Sequence, residues 1–174
     1  DYVAGFQDLL IRGRSLAADM AVAPALRAPA DDAPVCLLFS PHPDDEAIGG
    51  ALPWRLRRQY GWRIVNVAVT LGSNKQRRDA RWAELTACCA HLGFELTSAS
   101  GESHQGMERI RVDTASKEPD HWAACVARIR DLLRQYRPRV VVCPHALDGH
   151  VAHMGTHALV REAIGQLVPD WELD

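Results

Sequence analysis

Three stretches of this chain are apolar almost without interruption, and they restrict its fold more than anything else in it. They are Val35-Cys36-Leu37-Leu38-Phe39, the run RIVNVAVT from Arg63 to Thr70, and Arg139-Val140-Val141-Val142-Cys143. A strand with one wet face alternates. A strand apolar at nearly every position must be covered on both faces, which is the condition of a parallel sheet between two helical layers. The sequence between these runs has a different period. Apolar residues recur at spacings of three and four over 3–20 (Val3, Phe6, Leu9, Leu10, Leu16), Asp79–Leu92 (Trp82, Leu85, Cys89, Leu92) and Asp120–Tyr136 (Trp122, Cys125, Ile129, Leu132, Leu133, Tyr136), so helices are expected there. Two more are expected over Glu46–Tyr60, where Pro53 either kinks the helix or marks its true start, and over Thr156–Leu167. Phe94–Thr97 reads as a short strand. The alternation predicts an α/β fold: Rossmann-like, a mostly parallel β-sheet with helices on both faces.

Organisation follows from composition. Residues 1–34 read as an N-terminal helical arm and an Ala-, Pro- and Asp-rich linker, and 35–174 as one domain. No strand follows the last expected helix before Trp171-Glu172-Leu173-Asp174, which leaves room for a missing C-terminal portion. Ser98–Lys117 is polar and irregular, either a loop over a site or a poorly ordered excursion. A length of 174 residues suits one core, and a net charge of -2 gives no electrostatic case for nucleic acid or an anionic membrane. The arginines at 55–58 and 77–78 read as solvated helix faces. No apolar stretch reaches the ~20 residues of a membrane span, and no secretory signal pattern opens the chain. The 5 cysteines include no Cys-x-x-Cys spacing; Cys36, Cys125 and Cys143 read as small buried hydrophobes in a reducing, cytoplasmic setting, and Cys88-Cys89 as a vicinal pair inside a helical pattern.

The chemistry is concentrated after the first apolar run, in Ser40-Pro41-His42-Pro43-Asp44-Asp45-Glu46. Three consecutive carboxylates repel one another and raise each other's pKa unless a cation sits among them, and a divalent metal is the simplest such cation. His42 and Asp45, three apart on a turn, can point at one centre, which leaves Asp44 free to hold a water. In parallel α/β folds ligands bind beyond the carboxyl ends of the strands. Four of the 8 histidines, His145, His150, His153 and His157, follow the Arg139–Cys143 strand, where they could supply a third ligand and leave a metal with an open position. Gly49-Gly50 lacks the spacing of a dinucleotide-binding turn.

These residues resemble the PIG-L/LmbE-like metal-dependent N-deacetylases. The first family signature, His-Pro-Asp-Asp-Glu, is complete at His42–Glu46 and runs on into Ile48-Gly49-Gly50. Arg81-Trp82-Ala83-Glu84-Leu85 ahead of Leu92-Gly93 matches a second. The third, His-Pro-Asp-His before a helix, is matched by His150-Val151-Ala152-His153, with Val and Ala where the family has Pro and Asp. The resemblance covers about residues 35–167. It implies His42, Asp45 and His153 as metal ligands, with His150 or His157 as alternatives for the third. It also implies Asp44 as the general base toward the attacking water, and His150 as the group that stabilises the oxyanion or protonates the leaving amine. Glu46 and Arg81 would orient neighbours. The implied metal is Zn2+, with Fe2+ suiting the same donors. The implied activity is removal of an acetyl group from a small-molecule N-acetylated sugar conjugate, an N-acetylglucosaminyl substrate. The alternatives are an amidase acting on a non-sugar amide and a catalytically impaired metal-binding homologue. Oligomeric state is left open.

Overall fold

The computed structural model describes residues 26–167 together with 4, 5, 7, 8, 11 and 12, and these last six are helical. The apolar stripe expected over 3–20 and the terminal Trp171–Asp174 lie outside the described residues. β1 (Val35–Ser40) leads into the one-turn helix α1 (Asp45–Ile48) and then α2 (Ala51–Tyr60). β2 (Arg63–Ala68), a 3-10 turn at Lys75–Arg77, α3 (Arg78–Leu92), β3 (Glu95–Ser98), the one-turn α4 (Thr114–Lys117), α5 (Pro119–Tyr136), β4 (Val140–Val142) and α6 (Val151–Gly165) follow.

The four strands form one sheet in the order β3-β2-β1-β4, and every pairing is parallel. The chain winds outward from β1 to β2 to β3, then returns across the sheet to lay β4 on the other side of β1. This makes the gap between the carboxyl ends of β1 and β4 the topological switch point, where strand-end loops diverge and leave a crevice. The period-2 alternation of β1 divides its side chains between two cores. Val35, Leu37 and Phe39 join Ile129, Leu133, Leu159 and Val160 under α5 and α6. Cys36 and Leu38 join Leu85, Cys89 and Phe94 under α3, with Leu56 of α2 packed against them. That both faces are covered is what the uninterrupted apolar runs require.

Several boundaries move, each for a local reason. The single helix expected over Glu46–Tyr60 is two. A Cβ on Gly50 would lie 2.0 Å from the Glu46 carbonyl oxygen, so the chain can turn that tightly only at glycine. Pro53 falls in the first turn of α2, where its missing N–H has no intrahelical acceptor to lose, and it marks the start rather than a kink. β2 ends at Ala68 because Val69 and Thr70 bend to donate their N–H groups to Ser40 O and Pro41 O, at 2.9 and 3.1 Å. The segment 98–117 is ordered, ending β3 at Ser98 and containing α4, with a loop between them: Ala99 N–H donates to Ala68 O and Met107 N–H to Val69 O. α6 begins at Val151, five residues before the expected Thr156. All five cysteines are free thiols; Cys36 and Cys125 are buried as expected and Cys143 is half-buried, and burial pushes Cys36 and Cys89 up to about 12. No helix among the described residues is long and apolar enough to cross a membrane.

Candidate metal centre

The turn after β1 is held from several sides. Thr70 Oγ1 donates to Pro41 O at 2.7 Å, and one sheet position earlier Ser40 Oγ donates to Asn66 Oδ1 at 2.6 Å. His42 N–H donates to Asp45 Oδ2 at 2.8 Å, closing the turn upon its own carboxylate. Between them Asp44 takes φ 120, a region costly for any residue with a Cβ. Two contacts hold it there. Its N–H donates to Glu46 Oε2 at 2.9 Å, and its carbonyl accepts the Ala47 and Ile48 N–H groups. Glu46 is 2% exposed, so a buried carboxylate supports this strained backbone. Asp44 itself is exposed, and among the described residues its carboxylate pairs with no other side chain.

α6 brings the other half. His153, in its first turn, points Nε2 at the β1 turn. His42 Nδ1 lies 3.3 Å from His153 Nε2, Asp45 Oδ2 lies 3.6 Å from His42 Nδ1, and His153 Nε2 lies 3.4 Å from Asp45 Oδ2. Two donors each ~2.1 Å from a tetrahedral zinc stand ~3.4 Å apart. The three edges therefore fit a divalent metal held by two imidazoles and a carboxylate. His150 caps the N-terminus of α6, exposed, its ring centroid 5.0 Å from that of His42 and 4.8 Å from that of His153. One nitrogen from each of His42, His150 and His153 can be chosen so that all lie within 4.8 Å of one another. Burial tends to raise the Asp45 carboxyl. The hydrogen bonds from His42 and the charges of His153 and His42 outweigh it and hold the group below its ordinary range.

The remaining candidates are elsewhere. His145 is exposed and accepts the Leu147 N–H at 3.1 Å on Nδ1. His157 turns its Nδ1 to Pro144 O at 2.8 Å, away from the cluster. Arg81 donates to Leu71 O at 3.1 Å, bracing the loop after β2. One participant was not anticipated. Asp148 Oδ2 lies 3.0 Å from His153 Nδ1, and its Oδ1 accepts the His150 N–H at 3.3 Å. The Asp-Gly-His pattern at 148–150, an acid two residues before a helix cap, is the signal that could have pointed to it. A cleft of about 450 Å³ opens beside the cluster, lined in part by His42, His150, Lys75, Arg78, Arg109 and Arg111.

A doubly wound parallel α/β protein with a candidate imidazole–carboxylate metal site at its switch point is the class that these residues define. The chain belongs to the PIG-L family, described as GlcNAc-PI de-N-acetylase, whose model matches residues 37–164. A 1D-myo-inositol 2-acetamido-2-deoxy-alpha-D-glucopyranoside deacetylase of Mycobacterium leprae is 31% identical over 160 residues, covering 76% of this chain and 51% of the relative. The chain thus spans about half the length of the curated relatives it matches. Among solved structures, a deacetylase of teicoplanin biosynthesis superposes with a TM-score of 0.58 at 18% identity, over 76% of this chain and 63% of that one. GalB, the 4-carboxy-2-hydroxymuconate hydratase of Pseudomonas putida, superposes with a TM-score of 0.55 at 20% identity, over 75% and 55%. The fold is common to all of them, and it hosts more than one reaction, so function has to be argued from the site.

Proposed function

We propose that this chain carries the metal site of a zinc-dependent N-deacetylase, with residues 35–174 as its deacetylase domain, acting on an N-acetylglucosaminyl-type small molecule. The observation that carries the reading is the triangle of His42 Nδ1, Asp45 Oδ2 and His153 Nε2, with edges of 3.3, 3.4 and 3.6 Å. His150, which with His42 and His153 forms a set of nitrogens within 4.8 Å of one another, is an alternative donor in the place of Asp45. Asp45 is preferred to it because its oxygen already lies at ligand-to-ligand spacing from both imidazoles. Two imidazoles and one carboxylate with an open position suit catalytic zinc, and ferrous iron accepts the same set. When bound, such a metal supplies Lewis acidity toward an amide carbonyl and lowers the pKa of water.

The chain's own residues supply the rest. Asp44, exposed and unpaired on the strained turn, takes the proton from the attacking water. The water oxygen bonds to the acetyl carbon, the C–N bond breaks, and acetate and a free amine leave. His150, its ring 5.0 Å from that of His42 and 4.8 Å from that of His153, donates to the carbonyl oxygen as negative charge develops and passes a proton to the departing nitrogen. Lys75 and Arg78 on the cleft wall offer donors to sugar hydroxyls. The substrate class is supported by the family and by the acetamido sugar named for the mycobacterial relative. The free thiols suit a reducing, cytoplasmic setting.

The test is amine release from a panel of N-acetylglucosaminides and non-sugar acetamides, with and without chelator, beside Asp44→Ala. Chelation should abolish release and zinc restore it, and Asp44→Ala should lower kcat/KM by ~10²–10⁴. The proposal fails if the chelated protein and Asp44→Ala both work as well as the untreated wild type.

A further inference from the structure

We propose that Asp148 is the positioning residue of the third metal ligand, a carboxylate that fixes the proton and the direction of the His153 ring. The inference rests on the metal site proposed above. A carboxylate only accepts, so the 3.0 Å contact of Asp148 Oδ2 with His153 Nδ1 requires the ring proton on Nδ1. The lone pair is then on Nε2, the atom 3.3 Å from His42 Nδ1 and 3.4 Å from Asp45 Oδ2. The same carboxylate takes the His150 N–H on its other oxygen, so one side chain ties down both imidazole-bearing residues at the start of α6.

Two local features make this possible. Gly149, at φ 55, reverses the chain directly after Asp148 and folds the carboxylate back over the first turn of α6, where helix N–H groups favour negative charge. Position 152, inside the His150–His153 motif, is a buried alanine, so no acid within the motif can orient either ring. Asp148 is also the one acid between β4 and α6. An outer carboxylate on a ligating imidazole typically accounts for 10–100-fold in metal affinity.

The test compares wild type, Asp148→Asn, Asp148→Ala and His153→Ala by two measurements that need no substrate. One is the zinc dissociation constant by chelator competition; the other is the His153 tautomer of the metal-free protein, read from its side-chain nitrogen resonances. Asp148→Ala should weaken zinc by ~10–100-fold and mix the two His153 tautomers. Asp148→Asn keeps shape and one acceptor oxygen and should fall between it and wild type, and it serves alone if the alanine variant does not fold. The proposal is overturned if both variants bind zinc within twofold of wild type and His153 keeps its Nδ1 proton in each. If the wild type binds zinc no better than His153→Ala, the metal reading itself falls. That outcome is distinct from Asp148 proving silent in a protein that binds.

Discussion

The turn after β1 contributes two side chains to the cluster, and the loop after β4 with the start of α6 contributes two more, yet they are held by different means. β1 is a central strand, paired on both sides and almost wholly buried, and its turn is closed by contacts from Thr70, Asp45 and Glu46. β4 is three residues long, half-buried and paired only with β1 among the described residues. The loop from His145 to His150 is exposed, and among the described residues its hydrogen bonds are short-range, such as Asp148 N–H to His145 O at 3.2 Å. His153 gets its place from α6, which packs against α5 and the β1 core through Leu159 and Val160. One half of the site is thus built into the sheet, whereas the other hangs from a helix and is aimed by one acid.

If that contrast holds, damage to the first half should cost stability as well as activity. The largest effect is expected from Glu46→Ala. It orphans the Asp44 N–H, which costs ~1–3 kcal/mol, and leaves a cavity worth ~1 kcal/mol per lost methylene. The sum is ~3 kcal/mol of unfolding free energy, together with a lower kcat as Asp44 leaves its strained conformation. Denaturant unfolding and steady-state rates measure the two. The comparison breaks if Glu46→Ala unfolds at the wild-type midpoint. In the second half, His145→Ala removes only an exposed bond to Leu147 and should change stability by less than ~0.5 kcal/mol while leaving zinc affinity alone. A large loss there would mean that the loop is more tightly built than its exposure indicates.

The same contrast explains what could be read in advance. β1 and its His42–Glu46 turn are legible because burial on both faces and a cluster of donors each write a local pattern, continuous in one and crowded with charge in the other. α6 begins five residues before its apolar period does because His153, turned to the site, and His157, bonded to Pro144 O, interrupt that period in its first two turns. Asp148 was not legible as a participant, since its role depends on a reversal at Gly149 and on a ring three residues into the next helix. The segment 98–117 is ordered in part through backbone groups given to Ala68 and Val69, which leave no mark on side-chain type, and in part through the hydroxyls of Ser98, Ser100 and Thr114, which loops and turns use alike. Lys75, Arg78, Arg109 and Arg111 meet at the cleft only because that loop crosses the end of β2.

The smallest expected effect concerns acid. Asp45 and Asp148, one from each half, both titrate below the usual aspartate value of 3.8 in the folded metal-free protein. A carboxyl whose folded pKa is depressed contributes stability that is present above the unfolded value and lost as pH falls through the folded one. Both contributions should therefore be intact at pH 5 and decline below about pH 4. Their local consequences should differ. Asp45 is largely buried and closes the β1 turn through the His42 N–H, so protonating it loosens a packed segment. Asp148 is exposed and releases only the start of α6. Amide hydrogen exchange of the metal-free protein between pH 5 and pH 3, corrected for the intrinsic rate, should show protection falling at 42–46 more than at 150–153. Asp45→Asn should flatten the first response and leave the second in place. Equal loss in both segments would show that the two halves open as one unit.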